Sequence, residues 1–197
     1  MGKKILFLMN NDNSLALYNW LIEQGEEIIT FSKKITGELI KDIRPEIIIS
    51  YNYKYIIEQE VIDYVHGEVF NLHISLLPWN RGASPNFWSF IEDSPKGVSI
   101  HKVDAGLDTG DIVVQKEMFF DESKENFSST YHKLHDELMS LFKKYWDNIR
   151  SGRYMVRKQE GVGSFHTKND MEQFLKENGT LSWDNNIAKY KEMLEEK

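Results

Sequence analysis

The chain of 197 residues contains no cysteine. That absence removes disulfides, thiol nucleophiles and thiolate-bound zinc or iron–sulfur centres together, and it fits a reducing compartment. A basic excess is also missing: 31 acidic residues outnumber 24 basic ones, giving a net charge of −7. Proteins that track a phosphate backbone normally carry a basic face, so no nucleic-acid partner is expected. The acidic balance reads as solubility, and Arg150–Lys158 is the one local basic stretch. Long apolar runs do not occur. Ile5–Met9 is too short for the apolar core of a signal sequence and far too short for a membrane span. A soluble, cytoplasmic protein without a membrane partner is therefore expected. The chain holds neither G-x-G-x-x-G nor a P-loop, which disfavours dinucleotide and nucleoside triphosphate binding through those fingerprints.

What is present is a regular alternation of elements. Lys4–Met9 is a continuous apolar run, as expected for a strand buried on both faces. A polar turn, Asn10–Ser14, leads into Leu15–Gln24, where Leu17, Trp20 and Leu21 share a helical face and Gly25 stops the helix. Strands follow at Glu27–Phe31, Ile47–Ser50 and Val69–Ile74, separated by helices at Gly37–Ile43 and Ile57–Val65. Strands alternating with helices at this spacing predict a Rossmann-like, doubly wound α/β fold with a mainly parallel sheet. Beyond Pro78 the pattern predicts a helix over Pro85–Ile91, then strands over Val98–Val103 and Ile112–Phe119 around the turn Asp104–Asp111. Ser128–Trp146 is a long amphipathic helix, with Tyr131, Leu134, Leu138, Leu141, Phe142 and Tyr145 on one stripe. Residues 1–150 read as one domain. Residues 151–197 read as a short C-terminal extension with a short strand or two, a helix near Met171–Lys176 and a charged final helix from about Asn186. No repeat or low-complexity segment is visible.

Three groups of residues can carry chemistry. The turn Asn10–Ser14 lies where sheets of this kind bind nucleotides and phosphates, although Asp12, Asn13 or Ser14 can equally serve as plain helix caps. Asn71 and His73 stand two residues apart on a core strand, so both side chains leave the same face near its carboxyl end. Burying two polar groups there is costly without partners. An amide can donate to a developing oxyanion, and an imidazole can move a proton or stabilise an anion. Asp104, Asp108 and Asp111 cluster in DAGLDTGD. This lacks the spacing and terminal Glu of a calcium loop, so no metal is expected. Turn chemistry accounts for Asp104 and Asp111, and Asp108 is a candidate partner for His73. The other histidines read as structural: His132 and His135 as surface residues of the long helix, His101 as facing the far side of its strand.

Together, Asn71-x-His73-x-Ser75-Leu76-Leu77-Pro78 and Gly106-Leu107-Asp108-Thr109-Gly110 resemble the formyltransferases that use 10-formyltetrahydrofolate, over about residues 3–145. The resemblance implies the formyltransferase fold, with Asn71, His73 and Asp108 as catalytic trio and 10-formyltetrahydrofolate as co-substrate. Folate contacts would fall on Tyr55, Ile56 and Ile57 and on the turn Asp104, Ala105, Gly106 and Leu107. SYNYKYII (50–57) and LLPWNRGASPNFWSF (76–90) are most similar to the nucleotide-sugar N-formyltransferases. That implies an acceptor amine on a nucleotide-linked amino-dideoxy sugar, with a dTDP-4-amino-4,6-dideoxy sugar favoured. Asn10, Asn11, Lys54, Trp79, Arg81 and Asn86 are the candidate acceptor contacts. A homodimer and a place in O-antigen or lipopolysaccharide synthesis belong to the same expectation. A glycinamide-type acceptor and a non-catalytic folate-binding module are the alternatives. The glycine-free turn at Asn10–Ser14 speaks against the first, and the intact trio against the second. Glu58 stands where relatives often carry proline, a departure that loosens the loop without touching the chemistry.

Overall fold

A computed structural model describes residues 2–196. Along the chain the strands are β1 (Lys4–Leu8), β2 (Glu27–Phe31), β3 (Ile47–Tyr51), β4 (Val69–His73), β5 (Arg81–Gly82), β6 (Lys96–Lys102), β7 (Ile112–Met118) and β8 (Phe165–His166). The helices are α1 (Leu15–Glu23), α2 (Gly37–Ile43), α3 (Gln59–Tyr64), α4 (Pro85–Ile91), α5 (Phe127–Arg150), α6 (Lys168–Asn178) and α7 (Ile187–Glu195). These residues divide into two compact units that interleave in sequence. The first takes the chain up to His73, then Ile100–Val114 and Phe142–Gln159. The second takes Ile74–Ser99, Gln115–Leu141 and the chain from Glu160. The division thus cuts across the boundary expected at residue 150.

In the first unit β1 pairs in parallel with β2 on one side and with β3 on the other, and β3 pairs in parallel with β4. The full strand order is β2-β1-β3-β4-β6-β7. Parallel neighbours need crossovers, and α1, α2 and α3 supply them. The unbroken apolar runs follow from this: Ile5–Leu8 and Ile48–Ile49 are shut off from solvent, with Leu6, Leu8, Ile40, Val61 and Val69 in one cluster. Local signals set the helix ends. The Thr36 hydroxyl accepts from the Leu39 N–H (3.3 Å) at the start of α2. Arg44 ends that helix in the left-handed region (φ 52°), immediately before Pro45. Ser14 departs from the capping reading. It sits in a 3-10 turn, Asp12–Ser14, makes no cap, and donates its hydroxyl to the Tyr51 carbonyl (3.1 Å).

The chain leaves β1 towards β2 and comes back on the other side as β3, so the strand order reverses at β1. Open sheets bind ligands at the carboxyl ends of strands at such a reversal. Here that place holds the turn after β1 and the segment after β3.

The second unit is built on aromatic rings. Phe87, Trp88 and Phe90 of α4 cluster with Phe127, Ile187 and Tyr190, all buried. Ring pairs such as Phe87–Phe127 (5.5 Å) and Phe127–Tyr190 (5.7 Å) each add about 0.5–1.5 kcal/mol beyond simple burial. α6 begins with a reciprocal cap between Thr167 and Asp170, and the Asn186 side chain caps α7. β5 pairs in parallel with β8, and the His166 ring stacks on Trp88 (4.0 Å, 8°). His135, expected at the surface, is buried against Tyr131 one turn back (4.3 Å between rings) and extends the apolar stripe of α5. Burial, aided by the charge of His132, pushes its imidazole pKa down to about 4.

Candidate functional site

The site lies in the first unit and is built from three pieces of chain. β4 reads Val69-Phe70-Asn71-Leu72-His73. Its period of two sends Phe70 and Leu72 into one apolar face and Asn71 and His73 to the other. The second piece is the turn that follows β6. Asp104 Oδ1 accepts from the Gly106 N–H (3.0 Å) and the Thr109 hydroxyl (2.6 Å). Gln159 Nε2 donates to the carbonyls of Asp108 and Gly110, both at 2.8 Å. Gly110 is required by close approach, because a Cβ there would run into the Lys102 carbonyl oxygen. Asp108 itself is left-handed (φ 53°), a conformation that aspartate tolerates better than most residues. The third piece is His101, near the end of β6.

These pieces converge on the Asp108 carboxylate. Its Oδ1 accepts from Asn71 Nδ2 (3.0 Å), and its Oδ2 lies 3.8 Å from His73 Nδ1. His101 Nε2 is 3.1 Å from Asn71 Nδ2 and 3.4 Å from Asp108 Oδ1. All four side chains sit in a largely water-excluded corner, His73 at 8% exposure and His101 at 2%. His101 therefore does not face away, as expected from alternation along its own strand. Alternation assigns a residue to one of two faces but cannot say which face a distant strand shares.

A cleft opens on this corner. Asn71, His101 and Asp108 line it together with Ser50, Tyr53, Tyr55, Ile56, Ile57, Val103, Asp104, Gly106 and Leu107. Of the residues expected at a folate, only Ala105 stands outside the lining, exposed on the same turn. Ile56 (66% exposed) and Leu107 (47%) leave apolar surface beside the opening. A second cleft of about 530 Å³ lies at the strand-order reversal, lined by Asn10, Asn11, Asp12, Lys33, Lys54 and Tyr55 among others. Asn10 braces it, accepting from the Lys54 N–H (2.9 Å) and donating to the Ser32 carbonyl (2.6 Å). Asn11 accepts from the Asn52 amide (3.1 Å). Tyr55 lines both clefts.

Trp79, Arg81 and Asn86 belong to the second unit. Trp79 is 37% exposed, and the Arg81 N–H donates to the Ser164 carbonyl (3.0 Å). Asn86 departs from its expected role as an acceptor contact. It is buried, its Nδ2 donates to the Phe127 carbonyl (2.8 Å), and its Oδ1 accepts from the Thr130 hydroxyl (3.0 Å). Its amide ties α4 to the start of α5.

Sequence reasoning also passed over a buttress next to His101. Lys102 Nζ donates to Glu68 (3.0 Å) and to the Tyr154 hydroxyl (2.8 Å), and that hydroxyl donates to Glu68 (2.6 Å). Burial lowers the Lys102 pKa and raises that of Tyr154. Among the described residues no group of three His, Cys, Asp or Glu is placed to hold a metal ion, and no helix is long and apolar enough to cross a membrane.

With this geometry in place, comparison with known proteins is specific. The formyl transferase family model matches residues 26–144. A dTDP-4-amino-4,6-dideoxyglucose formyltransferase of Mycobacterium bovis is 33% identical over 142 residues, 70% of this chain and 59% of that protein. A methionyl-tRNA formyltransferase of Finegoldia magna is 29% identical over 185 residues, 82% of this chain and 58% of that protein. The chain thus spans less than two thirds of the length of these curated relatives. Among solved structures, the formyltransferase PseJ of Anoxybacillus kamchatkensis, in complex with UDP-4,6-dideoxy-4-formamido-L-AltNAc and tetrahydrofolate, superposes with a TM-score of 0.87. It is 39% identical, and the match covers 95% of this chain and 97% of that one.

Proposed function

The chain belongs to the formyl transferase family, and on that premise we propose that it moves the formyl group of 10-formyltetrahydrofolate to the amine of a nucleotide-linked 4-amino-4,6-dideoxy sugar. The observation that carries this reading is the pair of clefts meeting at Tyr55, with Asn71 and Asp108 on the inner wall of one of them. The first cleft suits a flat, mostly apolar ring system: Tyr55, Ile56, Ile57, Val103 and Leu107 offer apolar surface, and Asp104 a polar anchor. The second brings amides and the cations Lys33 and Lys54 to a strand-order reversal, as a sugar nucleotide requires. The named compounds of the two sugar-acting relatives share one feature, nitrogen at carbon 4 of a 4,6-dideoxy sugar, on dTDP in one and on UDP in the other.

The chemistry follows from the groups. The neutral sugar amine attacks the formyl carbon, forming a carbon–nitrogen bond and a tetrahedral oxyanion. Asn71 and His73 stabilise that oxyanion as hydrogen-bond donors, and such donors are worth roughly 10²–10³ in rate. Asp108 accepts the proton that leaves the amine, with His73 beside it. The bond to N10 of the folate then breaks, N10 takes up the proton that Asp108 received from the amine, and tetrahydrofolate and the formamido sugar leave. The same reading places the enzyme in the cytoplasm, where folates and sugar nucleotides reside, as a homodimer serving glycan synthesis such as O-antigen or lipopolysaccharide assembly. Light scattering of the purified protein tests the dimer.

A panel of acceptors tests the function. With 10-formyltetrahydrofolate present, release of tetrahydrofolate should require a dTDP- or UDP-linked 4-amino-4,6-dideoxy sugar. Release driven instead by glycinamide ribonucleotide would overturn the acceptor assignment. Folate binding without turnover on any acceptor would leave a binding module.

A further inference from the structure

The geometry points to His101 as a positioning residue that holds the Asn71 amide in its working orientation, a role that rests on the formyl-transfer reading above. The His101 ring has its two nitrogens in unlike surroundings. Nδ1 lies 2.7 Å from the backbone carbonyl of Lys102, which can only accept, so Nδ1 carries the hydrogen. In the neutral ring Nε2 is then bare and accepts, and the Asn71 Nδ2 at 3.1 Å is the donor it meets. The second hydrogen of the same amide goes to Asp108 Oδ1 (3.0 Å). The reverse orientation of Asn71 would turn its carbonyl oxygen towards the carboxylate of Asp108 and towards a bare ring nitrogen, three acceptors with no hydrogen between them. His101 and Asp108 together thus allow one amide orientation only.

The arrangement has a catalytic logic. At rest, one Asn71 hydrogen is held on a neutral nitrogen in a bond of ordinary strength. In the transition state a negatively charged oxygen develops nearby, and hydrogen bonds to charged acceptors are roughly twice as strong as neutral ones. Passing the hydrogen from His101 to the oxyanion is therefore favourable only as the charge appears, which is the condition for lowering the barrier rather than for tighter ground-state binding. His101 touches no reacting atom in this scheme; it keeps the donor aimed. Asp108 on the turn, His73 of β4 (ring centroids 6.3 Å apart) and its neighbour Lys102, whose ammonium is engaged by Glu68 and Tyr154, lie next to the His101 ring, and Asp104, Tyr53 and Tyr55 line the same cleft.

Two variants and two readouts test the assignment in the full-length protein. His101→Leu removes the acceptor while keeping an apolar side chain in a buried position. His101→Gln restores an acceptor, its amide oxygen, in place of Nε2. The expected result is a fall in kcat of roughly 100-fold for the Leu variant with KM for both substrates within about threefold, and recovery of at least tenfold of that loss in the Gln variant. Nitrogen-15 NMR of the wild type should show His101 Nε2 unprotonated, and an Asn71 side-chain amide signal that shifts in the Leu variant and returns towards its wild-type position in the Gln variant. The NMR readout does not depend on turnover, so it stands or falls separately from the formyl-transfer reading. A Leu variant with kcat within threefold of wild type would overturn the proposal while leaving that reading intact. A protonated Nε2 in the folded wild type, or equal kcat losses in the Leu and Gln variants, would also overturn it.

Discussion

At the scale of single residues, Asp108 is the group on which the others depend. Its two oxygens face Asn71, His101 and His73 at 3.0, 3.4 and 3.8 Å. Asp108→Ala or His73→Ala should lower kcat by roughly 10²–10⁴, the range for losing a positioned acid–base group, while tetrahydrofolate binding stays within a few-fold. Steady-state kinetics paired with calorimetric binding separates the two effects, and near-normal turnover in either variant would remove these residues from the chemistry. Asn71 and His73 were legible because period two puts them on one face, and a buried polar pair demands a reason. His101 was not, because its partners sit on other elements and the contact depends on how β4, β6 and the turn come together. Asn86 misled for a related reason: an amide next to a ligand and an amide that closes a helix junction look the same in sequence.

At the scale of elements, the turn from Asp104 to Gly110 is the piece that carries Asp108 into the site. It has no sheet or helix ladder of its own. It keeps its shape through the Asp104 side chain and through Gln159, whose amide bridges two of its carbonyls. Gln159→Leu removes both bridges without touching the cleft wall. Kinetics should show kcat reduced about tenfold and KM for the folate raised, with the melting temperature little changed. A loss of stability without a kinetic effect would mean that Gln159 serves the fold alone. The alternation of β1 to β4 with α1 to α3 was readable from apolar runs and helical spacing, since those patterns answer to burial along a single element. A short strand or two was expected past residue 151, where β8 lies, but its position and its pairing with β5 were not readable, because strands of two residues carry no period and exist only through each other. α6 and α7 were visible in outline, while their place in the aromatic cluster of the second unit was hidden by the distance in sequence between Phe87 and Tyr190.

At the scale of the whole molecule, the two interleaved units could not be read from the sequence, because each is assembled from segments far apart along the chain. His135 gives global stability a predictable pH dependence. Its folded pKa of about 4 lies below the 6.5 of an exposed imidazole. Between those values the unfolded chain binds a proton that the folded chain refuses, so stability falls as pH drops through 6.5, and this contribution levels off near 4. The full effect is about 3 kcal/mol. Chemical denaturation at pH 7 and pH 5 should show part of this loss in the wild type and less of it in His135→Leu; equal slopes would show that His135 is not its source. For the molecule as an enzyme, the most direct measurement is the mass of the acceptor after incubation with 10-formyltetrahydrofolate. A dTDP- or UDP-linked 4-amino-4,6-dideoxy sugar should gain one formyl group with wild-type protein, and at least about a hundredfold less product should form in the same time with Asp108→Ala. An acceptor left unchanged by the wild type, or formylated equally by both proteins, would contradict the assignment.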